Sequence, residues 1–140
     1  MKIDILKVLL DKSNNIETDR CLVFNTYKNI SIKSLMKTLD NVSNIVNLKL
    51  NKRRKNITSE TTVVFYDFYQ IAHNNVHSHS YLHIPECFDK ESVFKLVKES
   101  FERIDTNHKC FYENAKHVYK LADYSSRQFD KDNPLTHRVH

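Results

Sequence analysis

The sequence predicts a single, mainly α-helical domain of four or five helices, and two observations carry that expectation. Glycine is absent from all 140 residues. The tight primed turns of two-residue hairpins want positive φ, which glycine supplies most readily, so a glycine-free chain leans towards helices. Apolar residues also recur at three- and four-residue steps over 31–50 and again over 89–104, the period of a buried helix face. One short strand pair, from residues 20–27 and 80–84, is the feature that would turn this fold into α+β.

Taken in order, Ile3, Leu6, Leu9 and Leu10 share one face of a short amphipathic helix over 2–12. Residues 20–27 (RCLVFNTY) form a compact apolar run of strand length. Ser31 then caps a clear helix whose inner face is Ile32, Leu35, Met36, Leu39, Val42, Val46 and Leu50. Residues 58–73 have strand propensity at Thr61–Tyr66. However, Val64, Phe65, Phe68, Ile71 and Ala72 fall on one helical face, and helix is favoured because the period outruns a usual strand. Residues 74–85 (NNVHSHSYLHIP) read as a loop with a short extended piece.

Asp89 caps the best-patterned helix, with Val93, Leu96, Val97, Phe101 and Ile104 inward and Phe88 positioned to staple onto Val93. A last helix is expected from Thr106 or Asn107, burying Phe111, Ala115, Val118, Tyr119 and Ala122. Residues 1–128 are therefore expected to form one globular domain, and 129–140 a polar, mobile tail.

Composition excludes several function classes. Without glycine there is no phosphate-cradling loop, dinucleotide fingerprint or nucleophile elbow. No apolar segment approaches the ~18 residues of a membrane span, and the N-terminal run is too charged for a signal peptide. The three cysteines, Cys21, Cys87 and Cys110, are odd in number, have no CxxC spacing and sit beside apolar residues. They are expected to be reduced, inert thiols buried in the core of an intracellular protein. Three Asn-x-Ser/Thr triplets, at Asn29, Asn41 and Asn56, read as chance in an Asn-rich chain. Richness in Asn, Lys and Ile without Trp matches an AT-rich coding sequence, as in many viruses and mobile elements.

Charge is the most informative pattern. From Lys28 to Asn56 there are eight Lys or Arg residues and one acid, Asp40, a net +7 in a chain whose total is +5. Such a cluster attracts polyanions and acidic surfaces. Lys33, Lys37, Lys49, Lys52, Arg53, Arg54 and Lys55 are the candidate contacts to nucleic acid. Their cations would pair with phosphates, and neighbouring Asn side chains would add hydrogen bonds. The KRRK run alone also satisfies a nuclear-import signal.

The expected function is thus non-catalytic binding of an acidic partner, nucleic acid before protein, with no cofactor. The alternative is a protein–protein interaction or assembly subunit, such as a viral-type modulator or complex accessory protein, which would use an apolar groove, a tyrosine-rich patch or a homodimer contact.

His73, His77, His79 and His83 lie close together, with Cys87 just beyond. Imidazole and thiolate are good zinc ligands, but three or four must converge. His73 and His77 share a face only on a helix, and His77 and His79 only on a strand. The expected reading is a polar loop without metal, with these four histidines as the weak candidates and a pH-responsive patch as a minor one. Asp67 is expected on an exposed helix face, and Tyr66, Tyr69, Tyr112 and Tyr124 partly exposed.

Arg103 and His108 form an R-x4-H spacing at the junction of two expected helices. This resembles the active-site signature of the HEPN family. The resemblance covers six residues and implies an all-α fold, dimerisation, and an Arg–His pair acting on RNA phosphates. The family prefers a polar residue after the Arg, where this chain has Ile104. A HEPN-like ribonuclease is the remote alternative; the bland reading pairs Arg103 with Glu99.

Overall fold

The computed structural model describes residues 20–27, 30–72, 75–114 and 137–139. Among them the elements run β1 (Arg20–Asn25), α1 (Ile32–Leu50), a 3-10 turn (Ser59–Thr61), β2 (Val64–Ala72), β3 (Asn75–His83), α2 (Lys90–Glu102), β4 (Lys109–Asn114) and β5 (His137–Val139). The strands form one antiparallel sheet in the order β4-β1-β3-β2-β5. Leaving β5 aside, the chain order β-α-β-β-α-β with sheet order 4-1-3-2 is the split βαβ, or ferredoxin-like, arrangement.

The fold is therefore α+β, which corrects the mainly α expectation of four or five helices. Both well-patterned helices are present. Ser31 Oγ accepts from the Ser34 amide (3.1 Å) at the start of α1. Asp89 Oδ2 accepts from the Ser92 amide and hydroxyl (3.0 and 2.8 Å) at the start of α2. These bonds satisfy amides that the first helical turn leaves without intrahelical partners.

Helix was the wrong expectation for 58–73, where β2 lies, and loop for 74–85, where β3 lies. The apolar residues of β2 occupy both sheet faces, with Phe65 and Tyr69 on one and Phe68 on the other, all buried. That double burial hides the two-residue period and leaves an accidental helical one. The expected last helix begins instead with strand β4, and its continuation lies outside the described residues, as does the expected helix at 2–12. Part of the expected tail is β5, paired to β2 with Tyr66 opposite Val139. Residues 20–25 do pair with β3, with Leu22 opposite Ser80, inside the larger sheet. The β2–β3 register, with Ala72 opposite Asn75, leaves two residues for the hairpin connection.

Both helices pack on one face of the sheet. Leu22 and Phe24 of β1, Phe65 and Tyr69 of β2, Val76 and Leu82 of β3, and Cys110 of β4 meet Leu35, Leu39, Val42 and Val46 of α1 and Val93, Phe94, Val97 and Phe101 of α2 in one core. Phe24 is central, edge-on to Phe101 (centroids 4.8 Å) and parallel to Phe65 (6.4 Å). Ser78 and Ser80 occupy β3 positions whose cross-strand partners are Tyr69 and Asp67. They satisfy one another in a buried polar chain: Tyr69 OH donates to Asp67 Oδ2 (3.0 Å), Ser80 donates to Asp67 Oδ1, and the two serine hydroxyls bond at 2.9 Å. Asp67 is thus buried in the sheet rather than exposed on a helix, and Tyr69 is buried with it.

Two asparagines tie α1 to the chain entering β2. Asn47 Nδ2 donates to the Val63 carbonyl (3.0 Å) while its Oδ1 accepts from the Val63 amide (2.8 Å). Asn51, the C-cap, donates through Nδ2 to the Thr61 carbonyl (2.9 Å) and the Asn47 carbonyl (2.9 Å). This clasp fixes where the helix ends. Asn47→Ala would strip a half-buried backbone amide and carbonyl of their partners, at about 1–3 kcal/mol for such a loss. A urea titration of the variant is expected to show a lower midpoint with an unchanged slope; an unchanged midpoint would mean the clasp contributes nothing.

Candidate functional site

The basic run begins where the clasp ends. Asn51 is 3% exposed, and the Arg54 amide donates to its carbonyl (2.9 Å), closing a turn beyond α1. Lys52, Arg53, Arg54 and Lys55 follow a buried anchor and are all exposed. Arg54 lies over the Phe88 ring, with Cζ 5.6 Å from its centroid, so one cation of the run is also held against the segment entering α2. Lys49, Lys52, Arg53 and Arg54, with Leu50, line a surface depression at this corner.

The predicted basic residues are all exposed, but they do not form one stripe. Lys33 and Lys37 sit a turn apart in the first half of α1. Lys49 is twelve residues beyond Lys37, which is about 18 Å along the axis and about 120° around it. That separation exceeds a Debye length of ~8 Å at physiological salt. The structure thus gathers Lys49, Lys52, Arg53, Arg54 and Lys55 into one cationic corner and leaves Lys33 and Lys37 as a separate pair. Among the described residues, none of these seven is within salt-bridge distance of a carboxylate. The C-terminus of α1 contributes only about half a negative charge to offset the five cations of the corner.

His73 lies outside the described residues. His77, His79 and His83 stand on alternate positions of β3, on the sheet face turned away from the helices. They are arranged as the strand alternative required, not the loop. His77 and His79 meet edge to face at 5.2 Å. His77 Nε2 donates to Gln70 Oε1 (3.1 Å), and His79 Nδ1 donates to Glu113 Oε2 of β4 (3.1 Å).

All three imidazoles titrate below their ordinary 6.5. Burial is the main cause in each; His79 adds repulsion at His77, and the Glu113 carboxylate partly offsets burial at His79.

The same face brings in residues that sequence reasoning passed over. Cys21 of β1 is opposite Glu113 of β4, and Cys21 Sγ, a nitrogen of His79 and an oxygen of Glu113 lie within 4.8 Å of one another. Cys21 and Cys110 are buried as expected, and burial is the main reason both thiols titrate high, Cys21 at about 12. Cys87, expected to be buried, is exposed. Alternation fixes which residues share a face within each strand, but bringing Cys21, His79 and Glu113 together also takes the register between strands, which the sequence does not display.

The Arg–His pair does not assemble. Arg103 is the exposed C-cap of α2. His108 is 7% exposed, stacks on Phe101 (4.5 Å) and bonds through Nδ1 to the Phe101 carbonyl (3.2 Å). Its ring serves the core, and the all-α fold implied by the HEPN resemblance is absent. Tyr112 is half exposed and Tyr66 partly so, while Tyr124 lies outside the described residues. No helix among the described residues is long and apolar enough to cross a membrane. No protein-family model, curated protein or solved structure matches the chain.

The depressed imidazoles predict a pH dependence. Each is harder to protonate in the folded chain than in the unfolded one, so the unfolded chain binds more protons as pH falls. Their contribution is complete above about pH 6.5 and declines as pH drops through the unfolded value towards the lower folded ones. The urea midpoint is expected to fall between about pH 7.5 and pH 5.5, and to fall less in a His77→Gln, His83→Gln double variant. An identical fall in that variant would assign the effect to other groups.

Proposed function

We propose that this chain is a non-catalytic binding protein that docks a polyanion, nucleic acid before an acidic protein, through the corner formed by Lys49, Lys52, Arg53, Arg54 and Lys55. The observation that carries this reading is the convergence of four of these cations around one depression, with no carboxylate within salt-bridge distance among the described residues. Phosphates entering the depression would meet two guanidiniums and two ammoniums at an exposed turn anchored on buried Asn51. Arginine adds forked, two-bond recognition that lysine lacks.

Lys33 and Lys37 then act at a distance, drawing a nucleic acid strand towards the helix without sharing the main contact. An acidic protein is the second reading, because Leu48 (64% exposed) and Ile57 (49%) flank the basic run and offer apolar contact. Exposure of the run also meets the requirement of an import signal, and nuclear residence is part of this proposal.

Fluorescence anisotropy with labelled DNA and RNA oligonucleotides tests the assignment. Five phosphate contacts give a slope of about −4 for log affinity against log salt. Replacing Lys52, Arg53, Arg54 and Lys55 by Ala is expected to abolish binding. The Lys33→Ala, Lys37→Ala pair should change affinity by no more than about threefold at physiological salt, given the screening. Absence of any binding at low salt sinks the nucleic acid assignment, and a salt-insensitive complex with a protein would replace it.

A further inference from the structure

The sheet face turned away from the helices holds a group of side chains that the polyanion reading does not use. Cys21, His79 and Glu113 come from three adjacent strands, β1, β3 and β4, with β1 between the other two. Antiparallel register sets Cys21 across from Glu113, and the pleat aims His79 to the same side. The result is one thiol, one imidazole and one carboxylate whose donor atoms lie within 4.8 Å of one another.

We propose that Cys21, His79 and Glu113 form a transition-metal site of the zinc class. A sulfur, a nitrogen and an oxygen ligand form a mixed set that suits borderline-soft Zn²⁺ and is poor for Ca²⁺ or Mg²⁺, which take oxygen ligands. Tetrahedral coordination with bonds of ~2.0–2.3 Å places ligand atoms roughly 3.3–3.6 Å apart. The donor atoms lie within 4.8 Å of one another, so side-chain rotations of about 1 Å close the set, and a His79 nitrogen that now donates to Glu113 would give up its proton to act as a ligand.

The scaffold supports such a site. Cys21 is 1% exposed and lies on a strand hydrogen-bonded on both edges, which fixes its backbone and leaves the sulfur one side-chain torsion to adjust. The Cys21 thiol also has Tyr81 as a hydrogen-bonding neighbour. The side chains of His79 and Glu113 are 13% and 49% exposed, so the group is closed at the sulfur and open to solvent at the carboxylate. Three protein ligands with one solvent-facing position is the pattern of zinc sites that keep an exchangeable fourth ligand.

Nucleophilic use of Cys21 fits less well. A sulfur this deeply buried offers no approach to a substrate, and a neighbouring carboxylate opposes the free thiolate. A bound divalent cation would reverse that opposition, since thiolate and carboxylate would then share one positive partner.

The test uses the full chain, reduced and stripped with a chelator, titrated with Zn²⁺ by calorimetry and with Co²⁺ by absorption spectroscopy. One Zn²⁺ per chain is expected. The Co²⁺ form should show tetrahedral visible bands and a thiolate-to-metal charge-transfer band that Cys21→Ser removes. His79→Gln and the solvent-exposed Glu113→Gln should each weaken Zn²⁺ binding at least tenfold. Glu113→Gln is the variant least able to disturb folding, and it keeps the test decisive if the others misfold. No stoichiometric binding, or affinity and spectra unchanged in Glu113→Gln, would overturn the site, the latter placing the metal on other histidines.

Discussion

Everything in this structure depends on the register of β3 at the centre of the sheet. It is bonded to β1 on one side and β2 on the other, so its nine residues decide what both faces carry. Val76, Ser78, Ser80 and Leu82 turn towards the helices, and His77, His79, Tyr81 and His83 turn away. A slip of one residue would drive imidazoles into the core and carry Val76 and Leu82 to the other face. The buried bonds among Ser78, Ser80 and Asp67 oppose such a slip, since moving Ser80 would take its hydroxyl from Asp67 Oδ1 and from Ser78 inside the protein. A polar chain of this kind is a weak source of stability and a strong source of uniqueness.

The second constraint is the clasp from Asn47 and Asn51. Side-chain amides here stand in for a strand neighbour, satisfying the backbone of Val63 and Thr61 just before β2 begins. Because the same residues end α1, the entry to the sheet and the start of the basic turn share one set of bonds. The surface features follow from that interior arrangement: the cationic corner stands where it does because two uncharged side chains stop the helix there.

How much of this was legible depended on whether a signal was local. The caps at Ser31 and Asp89, the inner faces of α1 and α2, and the exposure of the basic residues were all readable, since each is set within a few neighbouring positions. The strands were not. In β2 the burial of Phe68 opposite Phe65 and Tyr69 blurred the alternation that marks a half-buried strand. In β3 the buried serines and half-buried histidines made a sheet centre look like a polar loop. In β4 the half-exposed Phe111 looked like part of a helix's inner face. The grouping of Cys21, His79 and Glu113 depends on which strands are neighbours, so no window along the chain could display it.

The contact of Arg54 with Phe88 has a mechanical consequence. A long basic side chain ordinarily samples many rotamers, and ordering one on a ligand sacrifices about 0.5–1.5 kcal/mol. Arg54 has surrendered much of that freedom beforehand, resting on an aromatic ring whose segment leads into α2. A turn closed on Asn51 at one end and seated on Phe88 at the other behaves as a rigid bracket. In the proposed docking, the Arg54 guanidinium meets the anion from a position set by that ring, while the neighbouring exposed cations adjust around it.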